Sequence, residues 1–187
     1  MIILDRDGVI NYESADYIKS PEEWHAIPGS LEAIARLTQA GHQVVIMTNQ
    51  SGIGRGYYDE AMLTQIHAKL LAQLAERGGR IAKIFYCPHH PDAGCDCRKP
   101  EPGMLKQIEA EFNVNWDECL LIGDSWRDIE AGRAVGCEGW LVRTGFGESF
   151  VANKQIPRDV PVFPDLSAAV DYFLLTQIIP EDSSHKN

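Results

Sequence analysis

Residues 1–8 read MIILDRDG. A short apolar run, Met1 to Leu4, stops on Asp5, Arg6, Asp7 and Gly8. A brief β-branched run bounded by a turn signal reads as a buried strand, placed over residues 1–5. The pattern returns at 43–48 (QVVIMT), which leads into Asn49, and at 119–123 (CLLIG), which leads into Asp124. Further strands are predicted over 81–87 (IAKIFYC) and 138–143. Between them the apolar spacing changes to the helical period. Leu31, Ile34, Ala35 and Leu37 mark a helix within 29–40, with Gly41 at its C-cap. A long helix is predicted over 59–77, capped by Asp59 and stopped by Gly78 and Gly79. Helices over 103–112, 126–135 and 166–178 follow, then a polar tail over 180–187. Strands alternating with helices predict an α/β fold, a doubly wound parallel sheet covered on both faces. In such sheets ligands bind at the C-terminal strand ends. Asp5, Thr48, Cys87 and Asp124 stand at those ends.

The chain has 187 residues, 44% of them hydrophobic, enough for one full core and a single domain over 1–187. Seventeen Lys and Arg stand against 27 Asp and Glu, a net charge of −10. Without a basic face, nucleic acid and anionic membrane surfaces are not expected partners. The longest apolar runs are far shorter than the roughly 20 residues that span a bilayer. No basic n-region or cleavage site opens the chain, so a cytoplasmic protein is expected, and a monomer.

Four constellations can carry chemistry. In Asp5-Arg6-Asp7-Gly8, one carboxylate can attack an electrophile while the other manages protons, and a hard cation such as Mg²⁺ would relieve their repulsion. The plain alternative is a surface turn. Thr48, Asn49, Gln50 and Ser51 offer a hydroxyl and backbone N–H groups suited to a phosphate, or simply cap a loop. Arg98 and Lys99 can fork around and point at phosphoryl oxygens, or remain a solvated pair. Asp124 and Asp128 lie one helical turn apart and can join Asp5 around Mg²⁺, or serve as an N-cap and a first-turn acid. Gly52-Ile53-Gly54-Arg55-Gly56 has GxGxG spacing, which is not a dinucleotide fingerprint. It is expected to form a flexible active-site loop that offers Arg55 to substrate.

Three of the five cysteines fall within eleven residues: Cys87, Cys95 and Cys97, beside His89 and His90. Three thiolates and the His89 imidazole would close a tetrahedral structural Zn²⁺ site within a loop over 87–99, with His90 spare. The alternative is three free thiols. A closed site leaves no position for catalysis, so this metal would pin the loop carrying Arg98 and Lys99. Cys119 and Cys137 read as packed residues.

Taken in order, Asp5-Arg6-Asp7-Gly8, Thr48-Asn49, Lys99 and Gly123-Asp124 with Asp128 resemble the four motifs of the haloacid dehalogenase-like (HAD) phosphohydrolases, over roughly residues 1–145. Asn11, Thr48 to Ile53, the zinc loop and Cys97-Arg98-Lys99-Pro100 resemble, more narrowly, the D-glycero-D-manno-heptose 1,7-bisphosphate 7-phosphatases. Histidinol-phosphate phosphatases share most of these residues. Val9 departs from a common Thr, and Ser125 from a common Lys. The resemblance implies a capless HAD-like domain and a Mg²⁺-dependent phosphatase acting on a sugar bisphosphate in lipopolysaccharide biosynthesis. It implies Asp5 as nucleophile, Asp7 as general acid and base, and Thr48 and Lys99 on the transferring phosphoryl group. Mg²⁺ would be held by Asp5, Asp7 and Asp124, with Asp128 in support. Asn49, Gln50, Ser51, Arg55 and Arg98 would contact substrate. Residues 11–18, 50–57 and the zinc loop would select it. The alternatives are a histidinol-phosphate phosphatase or a non-catalytic, zinc-stabilised binding module.

Overall fold

The computed structural model describes residues 1–178, so the expected polar tail over 180–187 lies outside the described residues. Six parallel strands form one sheet: β1 (Ile2–Leu4), β2 (Val44–Asn49), β3 (Lys83–Cys87), β4 (Leu120–Gly123), β5 (Glu138–Val142) and β6 (Val162–Phe163). Their order is β3-β2-β1-β4-β5-β6. Chain order reverses between β1 and β4, and at such a switch point the connections leave in opposite directions and open a crevice beyond the strand ends. Asp5 and Asp124 are the first residues past those two strands. The site is therefore placed by topology before any side chain is considered.

Side chains alternate across the sheet with period two. Ile2, Leu4, Val44, Ile46, Leu120 and Ile122 face one layer. There they meet helices α1 (Ser30–Gln39), α3 (Glu60–Ala75) and α7 (Leu166–Ile178) through Leu31, Ile34, Ile66, Leu70 and Leu166. Ile3, Val45, Met47, Phe85 and Leu121 face the other layer and pack on Met104, Leu105 and Ile108 of α4 (Gly103–Phe112) and on Ala131 of α5 (Trp126–Arg133). Both faces are dry, so the strands read as continuous apolar runs rather than alternating ones. Among the described residues no helix is long and apolar enough to cross a membrane.

The five predicted strands and five predicted helices are all present, with ends shifted by up to two residues. Asp59 caps α3 by accepting the Met62 N–H at 2.8 Å. Gly41, with φ of 89°, follows α1 in the left-handed conformation a C-terminal glycine supplies. Three short elements carry no legible period: α2 (Ser51–Gly54), α6 (Gly147–Ala152) and the two-residue β6. The expected flexible glycine loop is corrected by α2. Its glycines serve close packing. A Cβ on Gly52 would run into the Tyr58 ring, and one on Gly54 into the His89–His90 backbone.

Candidate active site

The Asp5 N–H donates to the Ile122 carbonyl of β4 at 3.0 Å, extending the β1–β4 ladder one residue past the strand. Its carboxylate accepts the Arg6 N–H at 2.7 Å and meets Lys99 Nζ at 2.9 Å. Lys99 also reaches Asp128 at 2.6 Å and donates to the Met47 carbonyl at 3.0 Å, which uses all three of its donors. Lys99 is only 3% exposed. Burial alone would push its ammonium down, but the Asp128 and Asp5 charges outweigh that and hold it above the ordinary lysine value.

Asp124 follows β4 and accepts the Phe146 N–H at 2.8 Å. Asp128 forms a capping box at the start of α5, accepting the Ser125 N–H at 3.1 Å and the Ser125 hydroxyl at 3.0 Å. Asp5, Asp124 and Asp128 present oxygens within 4.8 Å of one another. Burial, only partly offset by Lys99, pushes Asp5 up to about 6. Burial together with the Asp5 and Asp128 charges pushes Asp124 up to about 9. Three acids around one ammonium form a cluster short of positive charge, and an all-oxygen donor set fits a hard divalent cation such as Mg²⁺. Gly8 is required here. Its φ is 78°, and a Cβ would collide with the Asp124 carboxylate.

Asp7 has a different environment. Arg6 Nη2 donates to both its oxygens, at 2.8 and 2.9 Å, Asn11 Nδ2 donates at 2.9 Å and Gln50 Nε2 at 2.8 Å. Burial would raise its carboxyl, but the Arg6 charge and these bonds outweigh it and hold Asp7 below the ordinary carboxylate value. Arg6 is itself 1% exposed, and its Nη1 lies 3.2 Å from His67 Nε2. Burial and the Arg6 charge push His67 down to about 3, so the ring stays neutral and accepts from the guanidinium. The two carboxyls of the Asp5–Asp7 motif are thus moved in opposite directions, the condition under which neighbouring acids divide acid–base work.

Cys87, His89, Cys95 and Cys97 converge beyond β3. Cys87 Sγ lies 3.6 Å from Cys95 Sγ, 3.1 Å from Cys97 Sγ and 3.6 Å from His89 Nδ1, while His89 Nδ1 lies 3.1 Å from Cys97 Sγ. A tetrahedron with metal–sulfur bonds of about 2.3 Å has edges of about 3.8 Å, so a small expansion would accommodate Zn²⁺. His90 turns away and accepts the Asp92 N–H at 3.3 Å.

A HAD-hydrolase-like family model matches residues 96–169. A Pseudomonas aeruginosa protein described as D-glycero-beta-D-manno-heptose-1,7-bisphosphate 7-phosphatase is 53% identical over 174 residues, covering 93% of this chain and 97% of the relative. The chain belongs to the heptose-1,7-bisphosphate 7-phosphatase family. The crystal structure of the D,D-heptose 1,7-bisphosphate phosphatase of B. bronchiseptica, complexed with magnesium and phosphate, has a TM-score of 0.91 to this fold at 49% identity, covering 94% of this chain and 98% of that one. The corresponding enzyme of Burkholderia thailandensis has a TM-score of 0.74 at 43% identity, covering 92% and 97%.

Of the residues singled out in the sequence as this family's site, Asp5, Asp7, Thr48, Asn49, Gln50, Ser51, Arg98, Lys99 and Asp124 line a single cavity of about 240 Å³. Asp128 lies behind it, fully buried. Asn49 and Gln50 hold other site residues in place. Asn49 accepts the Lys99 N–H at 3.0 Å and donates to the Lys99 carbonyl at 3.2 Å, while Gln50 joins Asp7 to Thr48. Arg55 is not among the lining residues: it is exposed and sits 6.0 Å above the ring of Tyr17, which does line the cavity. Tyr58, Arg127 and Phe146 line the cavity without having been singled out, while Glu13 and Tyr17 come from the 11–18 segment expected to select the substrate. Tyr58 donates its hydroxyl to Gln50 Oε1 at 2.6 Å. Burial and the Asp7 charge push Glu13 up to about 7. Tyr58 carries no local sequence signal, because it reaches the cavity through tertiary folding.

Proposed function

We propose that this chain removes the 7-phosphate of D-glycero-β-D-manno-heptose 1,7-bisphosphate through an aspartyl-phosphate on Asp5. The observation that carries this is the paired environment of Asp5 and Asp7 at one cavity. Asp5 sits among acids and Lys99 at the floor, and Asp7 is gripped by Arg6 beside it. Asp5 attacks the phosphorus and displaces the sugar oxygen. Asp7 supplies the proton to that oxygen. An arriving phosphate dianion beside Asp7 raises its proton affinity, so the acid comes into use with substrate bound. Asp7 then takes a proton from the water that hydrolyses the acyl phosphate. Thr48 and Lys99 stabilise charge on the transferring oxygens. Mg²⁺ would be held by Asp5, Asp124 and the Asp7 backbone, and supplies charge neutralisation between carboxylate and phosphate. Asp128 supports this by anchoring Lys99 and Ser125.

The test is a comparison of kcat/KM for heptose 1,7-bisphosphate and histidinol phosphate in Mg²⁺. The bisphosphate is expected to be favoured. More efficient turnover of histidinol phosphate would overturn the assignment.

Zn²⁺ would be closed by Cys87, His89, Cys95 and Cys97 and act structurally. Protein prepared without chelators is expected to contain about one zinc per chain by elemental analysis, as a single closed site requires. Cys95 is the most exposed of the three thiols, so Cys95→Ser removes little packing. It should still lower the thermal midpoint and reduce activity through a loosened Arg98–Lys99 segment. Zinc-free protein of undiminished stability would exclude the site.

A further inference from the structure

Helix α3 buries Leu63, Ile66, Leu70 and Leu74, and His67 falls on the same face. It is buried at a core position, where an apolar side chain would pack without the cost of hiding a polar ring. The ring stands edge-on to Tyr86 of β3, with centroids 6.3 Å apart. Its Nε2 lies 3.2 Å from Arg6 Nη1. A guanidinium can only donate, so Nε2 accepts and the hydrogen-bond pattern assigns the ring proton to Nδ1. His67 is not among the residues lining the catalytic cavity.

Arg6 divides its donors between two sides. Nε and Nη2 face Asp7, donating to its carboxylate at 3.1, 2.8 and 2.9 Å. Nη1 bonds His67, its one hydrogen-bond partner among the described residues. At the near end the Arg6 backbone is fixed, since its carbonyl accepts the Ile10 N–H at 2.8 Å. The planar group is therefore held by its stem and by its far nitrogen. Without the far contact a buried, charged donor loses its partner, and the fork is free to turn about its stem. Asp7 would turn with it. Proton delivery is sensitive to such a turn, because a general acid must be aimed at the atom it protonates.

We infer that His67 is a positioning residue for proton delivery: through Arg6 it fixes the Asp7 carboxyl in the direction of the leaving oxygen. This rests on the reading of Asp7 as the general acid and adds to it a residue from a helix that carries none of the four motifs. A His67 that only filled space would act on stability and slow every substrate alike. A positioning His67 acts selectively, because only a basic leaving oxygen needs the proton.

The test measures kcat/KM with Mg²⁺ on phenyl phosphate and on p-nitrophenyl phosphate, two esters of similar shape. Nitrophenolate departs without a proton, whereas phenolate is helped by one. The ratio kcat/KM reports the steps through loss of the leaving group, so hydrolysis of the aspartyl-phosphate does not enter. In His67→Leu the value for phenyl phosphate is expected to fall by roughly 10- to 100-fold, part of what general acid catalysis contributes. The value for p-nitrophenyl phosphate should change by less than about threefold, since that ester bypasses the acid. His67→Gln carries an amide oxygen out to the place of Nε2 and should restore most of the phenyl phosphate rate. His67→Asn is as polar but ends near the place of Nδ1, and should not. The Gln and Asn pair decides the matter even if His67→Leu fails to fold. Asp7→Asn is the reference, with a larger loss selective in the same direction. Equal losses on both esters in His67→Leu, or Asn and Gln variants that match, beside a selective Asp7→Asn, would overturn the positioning role and leave Asp7 as the acid. An unselective Asp7→Asn would overturn the acid and the positioning role together.

Discussion

Asp5→Asn is expected to lower kcat by at least about 10³-fold, a barrier increase of roughly 4 kcal/mol. An amide oxygen is a poor nucleophile toward phosphorus and a weaker ligand for a divalent cation. The fold should tolerate the change. The Asp5 backbone is held by its bond to Ile122, which an asparagine keeps, and one buried negative charge disappears from a cluster crowded with them. Thermal stability of metal-free Asp5→Asn should therefore match or exceed that of wild type while phosphate release collapses. Retention of more than a tenth of wild-type turnover would exclude Asp5 as the group that accepts the phosphoryl.

Lys99→Met should be the most destabilising substitution in the site when metal is absent. Methionine conserves much of the volume but leaves Asp5 and Asp128 facing each other without the ammonium that now lies 2.9 and 2.6 Å from them. Breaking a buried ion pair in this way costs about 3–5 kcal/mol, or about 6–20 °C in thermal midpoint for a chain of this size. The pH dependence has a definite sign. Asp5, already raised to about 6, and Asp124, raised to about 9, bind protons more tightly folded than unfolded. Metal-free stability should therefore fall as pH climbs from the ordinary carboxylate range through those values. The Lys99→Met deficit should shrink in acid. Mg²⁺ should recover part of it by supplying the missing charge. Melting curves in chelator and in Mg²⁺ across that pH range check both claims. A Lys99→Met protein as stable as wild type in chelator at neutral pH would show that the Lys99 bridge contributes nothing net.

The alternation of short apolar runs and helical spacing made the sheet legible, because strands buried on both faces leave no ambiguity about which residues are inside. Asp5, Thr48 and Asp124 were legible for a related reason. Each is the first polar residue after such a run, and a parallel sheet gathers strand ends. The Cys87–Cys97 cluster was legible because soft ligands at close spacing serve few other purposes. Arg127 and Tyr58 were not. They reach the cavity from a helix turn and from a loop whose direction is set by contacts distant in sequence. Arg55 shows the same limit from the other side. Its neighbouring glycines suggested an open loop, but they pack a short helical turn against Tyr58 and the zinc loop, and the arginine is left outside. The pairing of Lys99 with both Asp5 and Asp128 was also hidden, since no spacing rule links positions so far apart in the chain.

The bond between Asp5 and Ile122 ties Asp5 to the middle of the sheet, with two strands on either side of the β1–β4 pair. Misaligning it requires opening the whole ladder rather than fraying an edge. Other residues that line the cavity, such as Glu13, Tyr58 and Arg127, hang instead from loops and from the first turn of a helix. Reactivity and recognition are thus mechanically decoupled. Drift at the rim can redirect the chain toward another phosphate ester while the bond-breaking machinery stays in place, so new substrates are reachable through surface changes that leave folding almost untouched.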